Sequence, residues 1–158
     1  MDLDQQIQTL IQEAPSDGIT LPLVAAIAPV LKAFAQQLQH SQYYILQTLE
    51  QDWVLTTLQN QTQPNLEKTV LYAFSTLKDV TAGPGFVRDD PQLMALPVPI
   101  IDILFQMTAL NGVDSAVFFE NPGDLINGAE IQRAELQGAI QYHLQLPPLS
   151  SSVPSDLA

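Results

Sequence analysis

The spacing of apolar residues changes at Tyr43, and this change constrains the fold more than any other feature of the sequence. Before it, apolar side chains recur at helical intervals, first at Leu3, Ile7, Leu10 and Ile11, then at Val24, Ile27, Leu31, Phe34 and Leu38. From Tyr43 onward the segments YYILQTL, WVLTTLQN and TVLYAFSTL are rich in alternating β-branched and aromatic residues. The pattern predicts two helices followed by a three-stranded antiparallel meander.

Residues 43–78 also fit a helical interpretation. Leu46, Leu49 and Trp53 stand at i, i+3 and i+7, and Thr56 continues the series. Short apolar runs are ambiguous on period alone, so strands are favoured here but the helical alternative stays open.

The boundaries of the first two helices follow from turn and cap residues. The segment APSDG ends the first helix, and the second is expected to begin near Thr20, a suitable N-cap that Pro22 follows. Pro29 lies inside the second helical pattern and lacks a backbone N–H donor. We therefore expect a kink or a restart of the helix at Pro29.

The second half of the chain predicts a buried helix, a strand and a final helix. LPVPIIDILFQMTAL is apolar around most of a helix circumference, Pro97 and Pro99 fit its start, and Asn111-Gly112 fits its end. VDSAVFF is predicted as a strand. GAEIQRAELQGAIQYHLQL is predicted as a helix with one apolar stripe, at Leu136, Ile140 and Leu144.

The order of these elements indicates an α+β fold. Two helices, three strands, a helix, a strand and a helix predict the order ααβββαβα, with a mainly antiparallel sheet of about four strands and helices packed on one face. We expect residues 1–146 to form a single globular domain. Residues 147–158, with the sequence PPLSSSVPSDLA, have the Pro and Ser content of a disordered tail.

Charge and cysteine content exclude several classes of function. The 17 acidic and 5 basic residues give a net charge of −12, which repels nucleic-acid backbones and anionic lipid but attracts cationic protein surfaces. The absence of cysteine excludes disulfides and thiolate chemistry. No secretory leader or apolar run of bilayer length occurs, so we expect a soluble, cytoplasmic protein.

No catalytic motif stands out, so we expect a protein that is not an enzyme and needs no cofactor. The two histidines, His40 and His143, match no metal-binding spacing, and each is interpreted as a solvated residue at a helix end. ENPGDLING offers side-chain oxygens on one loop, at Glu120, Asn121, Asp124 and Asn127. It lacks the ligand spacing of a calcium loop and is better explained by local turn hydrogen bonds.

The stretch TAGPGFVRDDP, at positions 81–91, is the strongest candidate for a ligand site. Arginine suits bidentate contacts with phosphate or a guanine edge, glycine permits close backbone approach, and carboxylates accept hydrogen bonds from guanine. The candidate binding residues are Gly83, Gly85, Arg88, Asp89 and Asp90, together with the second arginine, Arg133. The simpler interpretation is that Arg88 forms a surface ion pair and Asp90 caps a helix beginning at Pro91. A helix-surface pair with Glu130 is the simpler interpretation of Arg133.

Aromatic residues occur in consecutive pairs, Tyr43-Tyr44 and Phe118-Phe119. Neighbouring side chains on a strand face opposite sides of the sheet. One member of each pair would be exposed if helices covered only one face, and an exposed apolar patch usually marks an interface. Coverage by helices remains the more ordinary alternative.

GPGFVRDDP resembles the cyanobacterial receptor family for cyclic di-GMP, and the acidic, cysteine-free composition is similar to that of small cyanobacterial soluble proteins. The resemblance implies a regulatory protein without catalytic activity that binds the cyclic dinucleotide and acts through a partner such as a transcription factor. Better-known receptors carry an aspartate three positions after the arginine, whereas Pro91 stands three positions after Arg88. A homodimer would bring two sets of arginines to the doubly charged ligand.

Two hypotheses therefore follow from the sequence. One is a cyclic dinucleotide sensor whose site includes Arg88, Asp89 and Asp90. The other is an acidic protein-interaction module, an adaptor or assembly factor, that binds no small ligand and recognises a basic partner.

Overall fold

The computed structural model describes residues 2–13, 20–50, 52–59, 67–83, 90–109 and 112–145. These residues form, in order, α1 (Leu3–Gln12), α2 (Thr20–Ala35), β1 (Gln42–Thr48), β2 (Thr56–Gln59), β3 (Glu67–Phe74), α3 (Leu77–Ala82), β4 (Leu93–Pro99), α4 (Ile100–Ala109), β5 (Ser115–Phe119), β6 (Ala129–Gln132) and α5 (Arg133–Gln145). The predicted α+β class is confirmed, and the three strands predicted before residue 78 are present. The predicted order ααβββαβα lacked α3, β4 and β6.

The six strands of the described part form one mixed sheet. Its order is β4-β1-β3-β5-β6, with β2 also paired to β3. β5 runs parallel to β3, while the remaining pairs are antiparallel. This finding corrects the expected mainly antiparallel sheet of about four strands. The parallel pair arises because the chain between β3 and β5 passes through α4, and a connection of that length lets the later strand run in the same direction.

β1 and β2 share one edge of β3. Tyr44 of β1 lies opposite Phe74, and Thr56 of β2 lies opposite Val70. The other edge of β3 pairs with β5. β3 is therefore the central strand, and β1 contacts it directly instead of through β2 as a simple meander would require.

β4 replaces the beginning of the predicted buried helix. Pro97 and Pro99 were expected at the start of that helix, but they lie in β4 opposite Tyr44 and Gln42. β4 is at the sheet edge, where a missing N–H donor is tolerated. The helix itself is confirmed from residue 100 onward, and five of its side chains are fully buried: Ile100, Ile101, Ile103, Leu104 and Met107.

The remaining helix predictions are partly corrected. α2 runs through Pro29 as one helix, so no restart occurs there. The first residues of the predicted final helix form β6, and α5 begins at Arg133. Of the predicted apolar stripe of α5, Leu136 is buried and Ile140 packs against the core, whereas Leu144 is exposed.

The sheet has apolar side chains on both faces. On one face α1, α2, α4 and α5 enclose the main core with strand residues such as Tyr43, Ile45, Leu71 and Phe118. We call the opposite side the outer face; it carries Tyr44, Leu46, Tyr72, Phe74, Val117 and Phe119, and Val80 of the short helix α3 packs on it. Four of the five described helices thus cover one face, which is close to the expected arrangement with helices packed on one face of the sheet. None of the helices in the described part is long and apolar enough to cross a membrane.

Gln6 is a buried polar residue that joins α1 to the rest of the main core. Its Nε2 donates to the carbonyl oxygen of Ser41 at 2.7 Å, and its Oε1 accepts from the backbone N–H of Ile101 at 3.0 Å. Ile101 lies in the first turn of α4, where backbone N–H groups have no partner within the helix. Gln6 therefore satisfies a donor that would otherwise be buried without a hydrogen bond.

We predict that Gln6→Ala lowers the free energy of unfolding by about 1–3 kcal/mol, because it leaves a buried N–H and a carbonyl oxygen without this partner. Gln8→Ala, at an exposed position of the same helix, is the matched control and should change stability little. Urea denaturation followed by circular dichroism measures both. Equal, small losses would contradict this role of Gln6.

Candidate functional site

Aromatic rings form a stack on the outer face. The Tyr72 and Phe119 rings lie 5.6 Å apart at 16°, and the Phe74 and Phe119 rings lie 5.4 Å apart at 24°. Phe74 and Phe119 are buried, while Tyr72 is half-buried at the end of the stack. The predicted division of the aromatic pairs is confirmed, since Tyr43 lies in the main core and Phe119 on the outer face.

Gly83 contacts this aromatic stack. It is the C-cap of α3, and a methyl group at its Cα would lie 2.5 Å from Phe74 Cζ and 2.6 Å from Phe74 Cε1. The Phe74 ring is buried beside Phe119 and has little room to move. Glycine is therefore required here for the close approach of the α3 C-cap to the Phe74 ring.

Asp90 lies at the other end of that segment. Its Oδ1 accepts from the Gln92 backbone N–H at 2.9 Å, and its carbonyl oxygen accepts from Leu93 N–H at 3.3 Å. Asp90 therefore forms a turn that leads into β4, so its predicted role as a helix N-cap is wrong. Leu93 packs against the outer-face cluster. Gly85, Arg88 and Asp89 lie outside the described residues.

Arg133 lies on the opposite side of the sheet from Gly83. Its Nε donates to the Met107 carbonyl oxygen at 3.1 Å, and its Nη2 lies 3.5 Å from the Thr108 carbonyl oxygen, at the C-terminal end of α4. A cation interacts favourably with that end of a helix. The structure thus does not bring Arg133 together with Gly83 and Asp90. The expected pair with Glu130 is replaced by a pair between Glu130 and Lys68, which lowers the pKa of Glu130.

His40, Tyr43 and Glu120 form a polar cluster where α2, β1 and β5 meet. The Tyr43 hydroxyl donates to Glu120 Oε1, and the Gln39 backbone N–H donates to Glu120 Oε2 at 2.9 Å. His40 Nε2 donates to the Glu120 carbonyl oxygen at 2.8 Å. Burial raises the pKa of Tyr43, and the hydrogen bond to Glu120 raises it further. His40 is therefore part of a hydrogen-bonded cluster, which corrects its interpretation as a solvated helix-end residue.

The ENPGDLING loop is held by turn hydrogen bonds, as expected. Asp124 Oδ1 accepts from the backbone N–H groups of Ile126 and Asn127, each at 3.0 Å, and these bonds lower the pKa of Asp124. The buried carboxylate of Asp79 accepts from Gly123 N–H with both oxygens, at 3.2 and 3.0 Å, and so fixes the loop to α3. In the part of the chain that the structure describes, no group of His, Asp or Glu residues is arranged to hold a metal ion.

A groove of about 420 Å³ lies between three helices on the far side of the main core. We call it the helix groove, and its walls are Leu23 and Ile27 of α2, Phe105, Thr108 and Ala109 of α4, and Gln137, Ile140 and Gln141 of α5. Leu23 is 47% exposed although it is apolar. Periodicity identified most of these apolar residues individually, but their meeting depends on how the three helices pack.

No protein-family model matches the chain, and a search of curated proteins finds no significant match.

We predict that Gly83→Ala lowers the free energy of unfolding by about 1–3 kcal/mol, since the added methyl group forces the Phe74 ring to move. Gly138→Ala in α5 is the control. Apart from its chain neighbours and the backbone of its own helix, no atom lies within 4 Å of the added methyl group, and alanine favours helices by about 1 kcal/mol over glycine. Chemical denaturation should show opposite signs for the two variants, and a neutral Gly83→Ala would contradict the close contact.

We also predict that Tyr43→Phe destabilises the protein by about 1–2 kcal/mol, because the half-buried Glu120 carboxylate loses a donor. Tyr142, which is 71% exposed, provides the control Tyr142→Phe and should behave like the parent protein. Thermal denaturation compares the two. A Tyr43→Phe protein as stable as the parent would show that the cluster does not hold α2, β1 and β5 together.

Proposed function

We propose that this chain is a non-catalytic, cytoplasmic regulatory protein that binds cyclic di-GMP on the outer face of its sheet and acts through a protein partner such as a transcription factor. The observation that carries this proposal is the contact of Gly83 with the Phe74 ring. Gly83 belongs to the stretch TAGPGFVRDDP, which also contains Arg88, and it lies against a surface of stacked aromatic rings.

The aromatic stack supports base binding. Planar bases stack on aromatic side chains, with a contribution of about 1–3 kcal/mol for each base. Tyr72 is half-buried at the end of the stack, so its ring is the one available to a base, while Phe74 and Phe119 support it from inside.

The distribution of basic residues supports phosphate binding beside this face. Lys32 pairs with Asp4, Lys68 pairs with Glu130, and Arg133 donates to carbonyl oxygens of α4. Lys78 is exposed on α3, which packs on the outer face, and it has no ion pair within the described residues. Lys78 and Arg88 would supply one cation for each of two phosphate groups, and a local pair of donors can hold a compact anion despite the net charge of −12.

Asp89 and Asp90 would accept hydrogen bonds from guanine, with Gly83 and Gly85 allowing the backbone to approach. The turn around Asp90 is consistent with this role, because the bond from Gln92 N–H orients its carboxylate next to β4. Arg133, which lies beyond the sheet, would join the site only from a second copy in a homodimer.

A second candidate function is a protein-interaction module without a small ligand. The helix groove favours it, because this groove is apolar, open and remote from the outer face.

We predict that cyclic di-GMP at about a hundred times its Kd raises the stability of the protein by about 2.7 kcal/mol, measured as a thermal shift. Arg88→Ala should abolish the shift and Lys78→Ala should weaken it. The control Lys32→Ala, which removes the same charge on the opposite side of the sheet, should leave it unchanged.

Two outcomes would contradict the proposal. Unchanged affinity for cyclic di-GMP in Arg88→Ala, measured by calorimetry, would show that the ligand does not bind at the stretch TAGPGFVRDDP. Turnover of the bound nucleotide by the purified protein would show that it is an enzyme.

A further inference from the structure

The helix groove presents one stripe of each of three helices. Leu23 and Ile27 are four residues apart on α2, and Phe105 and Ala109 are four residues apart on α4, so each pair lies on one helix face. Ile140 of α5 completes the apolar lining. An apolar groove between helices can take the apolar stripe of a further helix, as in helix-in-groove recognition.

The polar residues of the groove carry no charge. They are Thr108, Gln137 and Gln141, which can accept or donate hydrogen bonds to an incoming chain. The groove volume of about 420 Å³ is enough for a few apolar side chains and falls within the usual range of binding sites. The groove itself therefore favours apolar side chains, and the charge preference has to come from its surroundings.

Two carboxylates, outside the lining of the groove itself, lie on α1 and α4. The ion pair of Asp4 with Lys32 places the start of α1 beside the last turn of α2, and α1 ends at its C-cap Glu13, seven residues before α2 begins at Thr20. Asp102 lies one turn before Phe105 on α4. Burial raises the pKa of Asp102, and repulsion from the nearby Glu13 carboxylate raises it further. Neither carboxylate forms an ion pair within the described residues.

We propose that the helix groove is the docking site for an amphipathic helix of a partner protein. The apolar stripe of that helix lies between α2, α4 and α5, and a lysine or arginine on its flank contacts Glu13 and Asp102. Charge complementarity selects this occupant, because a cation relieves the repulsion between the two carboxylates and the net charge of −12 favours approach of a basic segment. This interaction surface is independent of nucleotide binding at the outer face.

The experiment uses the full chain and two synthetic peptides of about 18 residues, long enough to form a helix of several turns. Both carry the same leucine stripe; one has lysine on its flanks and the other has glutamate. Fluorescence anisotropy without any nucleotide measures their affinities. We expect binding of the lysine peptide and at least about tenfold weaker binding of the glutamate peptide. Equal binding of both peptides would overturn the charge preference.

Leu23→Asp tests the apolar part of the site. An aspartate in the first turn of α2 is compatible with the helix, so the variant should fold, while its carboxylate opposes an apolar stripe. We expect about a tenfold loss of affinity for the lysine peptide. Leu49→Asp is the matched control, since Leu49 is 54% exposed in the turn after β1, and it should keep full affinity. Equal losses in both variants would overturn the site.

Asp102→Asn and Glu13→Gln test the contacting carboxylates against Glu50→Gln, which removes the same charge from an exposed turn. We expect the first two to weaken lysine-peptide binding several-fold more than the third. Equal effects of all three substitutions would show that net charge alone attracts the peptide, and would overturn the assigned contact with Glu13 and Asp102.

Analytical ultracentrifugation separates a partner helix from a second copy of this chain. We expect Leu23→Asp to leave the oligomeric state unchanged, and a dimer that this substitution dissociates would overturn the proposal. Leu23→Asp should also keep its affinity for cyclic di-GMP. Because peptide affinity and cyclic di-GMP affinity are measured separately, a failure of the docking proposal can be distinguished from a failure of the proposed nucleotide binding.

Discussion

The alternation of side chains along β3 is the constraint on which the rest of the structure depends. Leu71 and Ala73 point into the main core, while Tyr72 and Phe74 lie on the outer face, and the central strand is paired along both edges. A one-residue shift of register would exchange the two sets, because side chains alternate with a period of two. This alternation therefore places four helices on one side and the aromatic stack on the other.

Strands with a long alternating pattern could be predicted from the sequence. Strands without such a pattern could not be predicted. YYILQTL covers β1 except for Gln42, and VDSAVFF contains β5; in both, the alternation is rich in aromatic and β-branched residues. β4 contains Pro97 and Pro99, which indicate a helix start or a loop unless the strand is known to lie at an edge. β6 has four residues and joins α5 without a break, so its sequence reads as the first turn of that helix.

The candidate site was predictable only where neighbouring residues define it. The opposite directions of Tyr43 and Tyr44 follow from strand geometry, whereas the residue types at Asp90 and Pro91 fit a helix start as well as the observed turn into β4. The hydrogen bond between Tyr43 and Glu120 joins residues 77 positions apart, and no local sequence pattern predicts it. The helix groove combines short stripes from three helices, so it depends on how α2, α4 and α5 pack.

The outer face and the helix groove are separate surfaces on opposite sides of the main core, which would let one bind a nucleotide while the other binds a protein. An NMR titration of the ¹⁵N-labelled protein with cyclic di-GMP tests most directly whether this nucleotide binds on the outer face. The account predicts that the backbone amide signals of Tyr72, Gly83 and Asp90 shift with saturation, while those of Leu23 and Ile140 in the groove do not. Shifts confined to the groove, or no shifts at all, would contradict it.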